Sequence, residues 1–155
     1  MSAEATVTEL GLDLPPAPKP GGVYKPVVIH GGLAYVSGHG PLKNDETYIT
    51  GRVGDTMDTA EANAAARQTG LAILATLKAQ LGSLDRVERL VRSFGMVNAT
   101  PEFSEHPQVI NGYSELMGEV FGPEVGLGAR SAIGMGSLPG GIAVEIEAVF
   151  ALKPE

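Results

Sequence analysis

Apolar residues recur at helical spacing between Thr56 and Leu81, where Ala62, Ala66, Ile73, Leu77 and Leu81 fall on one stripe. Asp58 stands where an N-cap belongs, Glu61 follows three residues on as in a capping box, and Gly82 supplies the stop. A second stripe, Val109, Tyr113, Leu116 and Val120, predicts a helix over Pro107 to Phe121, closed by Gly122-Pro123. Between them, Val87 to Asn98 reads as a strand interrupted by Arg89 and Arg92.

Two strand-like runs, VYKPVVI and LAYVSG, flank His30-Gly31-Gly32 and predict a hairpin within Val23 to Ser37, and Thr47 to Val53 extends the expected sheet. Further on, Ala129 to Ser137 and Ile142 to Leu152 read as two strands around Leu138-Pro139-Gly140-Gly141. Paired as a hairpin, they would set Gly134 opposite Glu145 and Ala132 opposite Glu147. Arg130, Ala132, Gly134 and Gly136 would then share one face with Glu145 and Glu147. Ile133, Met135, Val144, Ile146, Ala148 and Phe150 would make the opposite, apolar face.

The expected fold is thus α/β, or α+β: a mixed sheet of roughly six strands with two helices on one face. The other face must meet water or another subunit. Residues 1–22 read as an arm, with a short helix around Glu4–Leu10 followed by LPPAPKPGG; residues 23–155 make one domain.

Charge and composition narrow the chemistry. Eighteen acidic residues against eleven basic ones give −7, which argues against a nucleic-acid partner because phosphate binding needs a basic footprint. The absence of cysteine excludes disulfides, thiolate metal sites and thiol nucleophiles. Only His30, His39 and His106 are available as imidazole ligands, too dispersed to predict a metal site. No stretch reaches the roughly 20 apolar residues of a membrane helix, and the acidic start MSAEATVTEL lacks the pattern of a secretory signal. A cytoplasmic location is expected.

The wording of the C-terminal third is more specific. ARSAIGMGSLPGGIAVEIEAVF resembles the signature of the reactive intermediate deaminase (Rid) proteins, also called the YjgF-like or L-PSP endoribonuclease family. GGVYKPVVIHGGLAYVSGHGPL and VINGYSELMGEVFG resemble two further stretches of that family, so the likeness runs from about Gly21 to Leu152. The long arm and EFSEHPQVINGYSELM mark a divergent branch.

The resemblance implies a chorismate-mutase-like fold, a homotrimer with one ligand cleft at each subunit interface, and no metal or organic cofactor. It implies hydrolysis of small 2-imino acids, formed from enamines such as 2-aminoacrylate, to 2-keto acids and ammonia. Arg130 takes the place of the carboxylate-binding arginine and Glu145 that of the water-handling glutamate. Tyr24, Ser37, Gly38 and Asn111 take substrate-binding places. Ala132 stands where active members carry Cys, His39 stands where Gln is common, and Gly134 and Gly136 replace larger residues.

These roles suit the side chains. A guanidinium fork binds both oxygens of a carboxylate and sets the imine plane, and a partly desolvated carboxylate can move protons for an attacking water. Glu147 rivals Glu145 on the same strand face. Arg130 has a structural alternative as an ion pair across the hairpin, Tyr24 as a packed aromatic, and Asn111 as a capping or interface hydrogen bonder. His39 is either a titratable group at the cleft or a surface turn residue. A non-catalytic trimer that binds a small carboxylate is the alternative function. An endoribonuclease ranks last, for want of basic and aromatic residues in a strip.

Overall fold

The computed structural model describes residues 1–155. Its elements are α1 (Ala3–Glu9), β1 (Val27–His30), β2 (Leu33–His39), α2 (Thr59–Leu81), β3 (Val87–Asn98), α3 (His106–Phe121), the single turn α4 (Pro123–Gly126), β4 (Ala129–Met135) and β5 (Val144–Leu152). The Asp58 carboxylate accepts from the Glu61 N–H, the Glu61 carboxylate accepts from the Asp58 N–H, and Gly82 closes α2 in the left-handed region at φ 81°. Both ends of α2 are therefore satisfied by the residues that predict it.

The buried side of α2 is wider than one stripe, taking in Ala65, Thr69, Gly70, Ala72 and Leu74. The cause is a second neighbour: α2 packs on the sheet and on α3 together. Small residues permit the approach. A Cβ on Gly112 would stand 2.1 Å from the Asn63 carbonyl oxygen, and one on Gly70 would stand 2.8 Å from Leu116 Cδ2. Tyr113, fully buried between the layers, finds a partner for its hydroxyl in Ser93 Oγ at 2.8 Å.

The sheet has five strands in the order β1-β2-β5-β3-β4, not six. Residues 47–53 make only isolated bridges, Leu42 to Tyr48, Thr50 to Ile142, and Val53 to Met57 and to Ala99. Nor do β4 and β5 pair. Strand β3 lies between them, antiparallel to β5 and parallel to β4. Parallel strands need a long crossover, and α3 supplies it in a β3-α3-β4 unit. The expected partnerships of Gly134 with Glu145 and of Ala132 with Glu147 are replaced: Gly134 is level with Val97 and Val144, and Ala132 with Gly95 and Ile146.

Insertion of β3 also reverses the facing of β4. Arg130 stands level with Ser93 and Ala148, on the helix-covered face, while Glu145 and Glu147 stand level with Met96 and Phe94 on the open face. The open face carries Val28, Tyr35 and Ile133, each at least 40% exposed.

The arm is laid against the domain. Val7 is buried, and the Glu4 carboxylate accepts from Lys78 Nζ at 2.7 Å and from the Leu84 N–H at 2.9 Å. Those two bonds hold the Glu4 carboxyl below its ordinary pKa. Leu12 and Leu14 pack on the core and Pro15 is buried, after which the chain runs exposed to Lys25 apart from a half-buried Pro18.

Candidate functional site

Strand β2 is irregular at its end. Val36 pairs with Ala148 and His39 with Ile146, so three steps on β2 match two on β5. The extra residue is a bulge, and it brings the Ser37-Gly38 backbone over Glu145. A Cβ on Gly38 would stand 2.9 Å from Glu145 Oε2 and 3.0 Å from its Cδ. Only glycine leaves room for the carboxylate there.

Around this contact lies a cleft of about 280 Å³, lined by Gly38, His39, Gly40, Tyr24, Tyr48, Ile142, Pro139-Gly140 and Glu145, with Pro18 to Gly21 of the arm along its mouth. Glu145 is half-buried, and desolvation, helped by the neighbouring Glu147 charge, raises its pKa above the ordinary glutamate value. Tyr24 is 49% exposed and its hydroxyl accepts from the Gly21 N–H at 3.1 Å, which holds the turn into β1. Burial, with a smaller effect of Tyr24, raises the Tyr48 phenol.

His39 is no surface turn residue, and it lines the cleft. It is buried, with Nδ1 at 2.6 Å from the Ser37 carbonyl and Nε2 at 2.7 Å from Thr76 Oγ1 of α2. A carbonyl only accepts, so Nδ1 carries the proton and Nε2 accepts from Thr76. Desolvation lowers its pKa, and the ring is a neutral strut beneath the bulge. Ser37 is spent similarly: its hydroxyl donates to the Lys25 carbonyl at 2.6 Å.

Glu147, exposed, lines a separate shallow depression of about 310 Å³ with Tyr35, Ser37, Arg92 and Phe94. The two strand carboxylates therefore differ in environment, and Glu145 alone is enclosed.

The other predicted residues gather on the helix side. Arg130 Nη1 donates to Asn111 Oδ1 at 2.9 Å and to Ser114 Oγ at 3.0 Å, both on α3. No acidic group pairs with it, which removes the ion-pair alternative; burial alone lowers its pKa. Ala132, two residues along β4, is half-buried against the core. One protomer thus brings Tyr24, Gly38, His39 and Glu145 together, and separately Arg130, Asn111 and Ala132. It does not bring the two sets to one face. Ser114 and Tyr48 were not singled out from sequence. The spacing of Asn111 and Ser114, one helical turn apart, is the signal that would have found Ser114.

No group of three His, Asp or Glu side chains is placed to hold a metal, and no helix is long and apolar enough to cross a membrane.

A layer of two long helices on a five-stranded mixed sheet, with a glycine bulge over a strand glutamate, defines the class. The chain belongs to the family described as "YjgF/chorismate mutase-like, putative endoribonuclease", whose model matches residues 4–139. Protein TCP17 of Trypanosoma cruzi is 40% identical over 149 residues, covering 96% of this chain and 93% of that protein. The crystal structure of Atu1372 from Agrobacterium tumefaciens, a protein of unknown function, is 41% identical with a TM-score of 0.87, covering 97% of this chain and 91% of that one. RidA of an Antarctic Psychrobacter is 25% identical with a TM-score of 0.59, covering 88% and 94%.

Proposed function

We propose that the protein hydrolyses small 2-imino acids to 2-keto acids and ammonia. Its site is composite: Arg130, Asn111 and Ala132 of one protomer complete the Glu145 cleft of the next in a homotrimer. The enclosed, partly desolvated Glu145 pressed against Gly38 is the observation that carries the reading. The likeness to RidA supports it. Separation of the two residue sets within a protomer supports the second half, because an uncovered sheet face and an arginine without a carboxylate both call for a neighbour.

The chemistry follows from the side chains. Arg130 binds the substrate carboxylate through its planar fork, preset by Asn111 and Ser114. Glu145 takes a proton from water as the oxygen attacks the carbon of the protonated imine, giving a neutral carbinolamine. It returns that proton to the nitrogen and then takes the hydroxyl proton as the C–N bond breaks, so that ammonia leaves and the carbonyl forms. A carboxyl whose pKa is raised toward neutrality serves both directions. Gly38 contributes its backbone, and Tyr24 walls the cleft. Since such imines already hydrolyse in water, holding the water and the carbon in place supplies most of the acceleration.

The test is release of 2-keto acid and ammonia from freshly generated 2-aminoacrylate or 2-iminobutanoate, with sedimentation of the same sample. Turnover by a trimer is expected. A stable 16.0 kDa monomer, or a trimer that binds 2-ketobutyrate without accelerating hydrolysis, overturns the composite enzyme.

A further inference from the structure

The Glu145 cleft has more wall than the reacting atoms need. An imine carbon carries nitrogen, carboxylate and side chain in one plane, and water attacks across that plane. In the proposed composite site, Glu145 serves the water and the nitrogen, and Arg130 of the neighbouring protomer holds the carboxylate. The rest of the cleft is left for the substrate side chain. Its surfaces are mostly rings, Tyr24, Tyr48, Pro18, Pro20 and Pro139, with Ile142 beside them. Lys19 is the one charged residue there besides Glu145, and it is exposed. The volume, about 280 Å³, is close to the roughly 300 Å³ at which small-molecule pockets begin.

One wall is built on a glycine. A Cβ on Gly40 would stand 2.9 Å from Ile142 Cδ1 and 3.1 Å from Tyr48 Cε1, so both side chains lie directly on the end of the bulged strand. Their backbones are laced together as well. Thr50 bridges Ile142, and the Ala143 N–H donates to the Ile49 carbonyl at 3.1 Å. Tyr48 and Ile142 therefore make one fixed apolar surface.

The facing wall is the arm. Four prolines stand between Leu14 and Gly21, each fixing its own φ and holding the residue before it extended. This stiff segment is anchored on both sides. Leu14 packs on the core, Pro15 is buried, and the Gly21 N–H donates to the Tyr24 hydroxyl at 3.1 Å. The Asp13 carboxylate also accepts from Asn44 Nδ2, in the loop that the Leu42–Tyr48 bridge closes. A flexible tail would lose entropy on closing over a ligand, whereas this one is already in place.

We infer that Tyr48 and the Pro18–Gly21 segment are the specificity-determining wall of the cleft, and that they select 2-imino acids whose side chain is an aromatic ring. Tyrosine and proline rings offer a flat side chain its contacts, and burying a ring removes far more apolar surface from water than burying a methyl. The inference rests on the hydrolytic reading of Glu145 and names its substrate class.

The test measures, on the full chain, calorimetric affinities for pyruvate, phenylpyruvate and 2-ketoglutarate, and turnover of the imines generated in situ from alanine and phenylalanine by an L-amino acid oxidase. Phenylpyruvate should bind at least tenfold tighter than pyruvate, and the preference in turnover should lie in KM. Tyr48→Ala, and Pro18→Gly combined with Pro20→Gly, should each cut the phenylpyruvate-to-pyruvate affinity ratio at least fivefold. Equal affinities in wild type, or a ratio that survives both variants, overturn the inference while turnover of either imine leaves hydrolysis at Glu145 standing. Tightest binding of 2-ketoglutarate overturns it too, because Lys19 would then be the selecting group. Failure of the hydrolytic reading looks different: the expected affinity ratio with no turnover of either imine supports the wall and removes the enzyme. Binding of no keto acid overturns both. Should a variant fail to fold, the wild-type ratio and the other variant decide.

Discussion

Gly38 and Glu145 are in a contact that leaves no room for a side chain at position 38: a Cβ on Gly38 would come within 2.9 Å of the Glu145 carboxylate oxygen. The atoms in the way are the far end of a flexible side chain, so an added methyl displaces the carboxylate and spares the backbone. Gly38→Ala is therefore expected to keep its Tm within a few degrees while losing turnover by about 10²-fold, the usual consequence of a catalytic group misplaced by about an ångström. Equal turnover in the alanine variant would mean that the position of Glu145 is irrelevant to the reaction.

The two strand carboxylates are separable by substitution. Glu145→Gln should cut turnover by about 10²-fold or more and leave 2-ketobutyrate binding nearly intact, since the amide keeps size and loses the base. Glu147→Gln, on an exposed residue outside the cleft, should have little effect. The reverse pattern would move the catalytic role to Glu147.

Glu145 also leaves a mark on stability. Its folded pKa lies above the ordinary value of 4.5, so folding favours its protonated form relative to the unfolded chain. That contribution is complete below the unfolded pKa and is lost as pH rises through the folded one. Glu145→Gln, which cannot ionise, should consequently melt higher than wild type at pH 8, with the advantage shrinking toward pH 5. A difference independent of pH would show that the carboxyl is not desolvated.

His39 predicts the opposite slope. Its pKa is lowered from 6.5 by burial, so the neutral ring stabilises the fold above that value and the contribution is lost as pH falls below it. Wild type should lose Tm between pH 7 and pH 5, and His39→Gln should flatten that part of the curve. If His39→Gln instead displaced the acidic limb of the rate profile without touching the Tm curve, the ring would be acting at the cleft.

Arg130→Ala should abolish binding of 2-keto acids, a loss on the order of 2–5 kcal/mol by comparison with truncated buried charge pairs. Arg130→Lys should also fail, because an ammonium cannot span two oxygens and still satisfy Asn111 and Ser114. The fold should survive both changes, since Arg130 is half-exposed and holds no ion pair. A lowered Tm with unchanged affinity for 2-ketobutyrate would reduce Arg130 to a structural residue.

The amino-acid sequence by itself determined the elements and many of their ends. Asp58, Glu61 and Gly82 bound α2 through bonds made within a few residues, and the apolar spacing of α3 survives in the buried Val109, Tyr113, Leu116 and Val120. The motif wording determined the family. Strand partnership was beyond its reach. Alternation says which residues of one strand share a face, but the phase between strands is set by pairing, and pairing is non-local. Placed as a hairpin, Ala129–Met135 and Val144–Leu152 would have put Arg130 on the same face as Glu145. The tertiary structure inserts β3 because α3 returns the chain parallel to it, and one intervening strand is enough to send Arg130 to the helix side. The fate of His39 was likewise undecidable locally. Its partner Thr76 lies 37 residues away on α2, and only the packing of that helix on the sheet buries the ring.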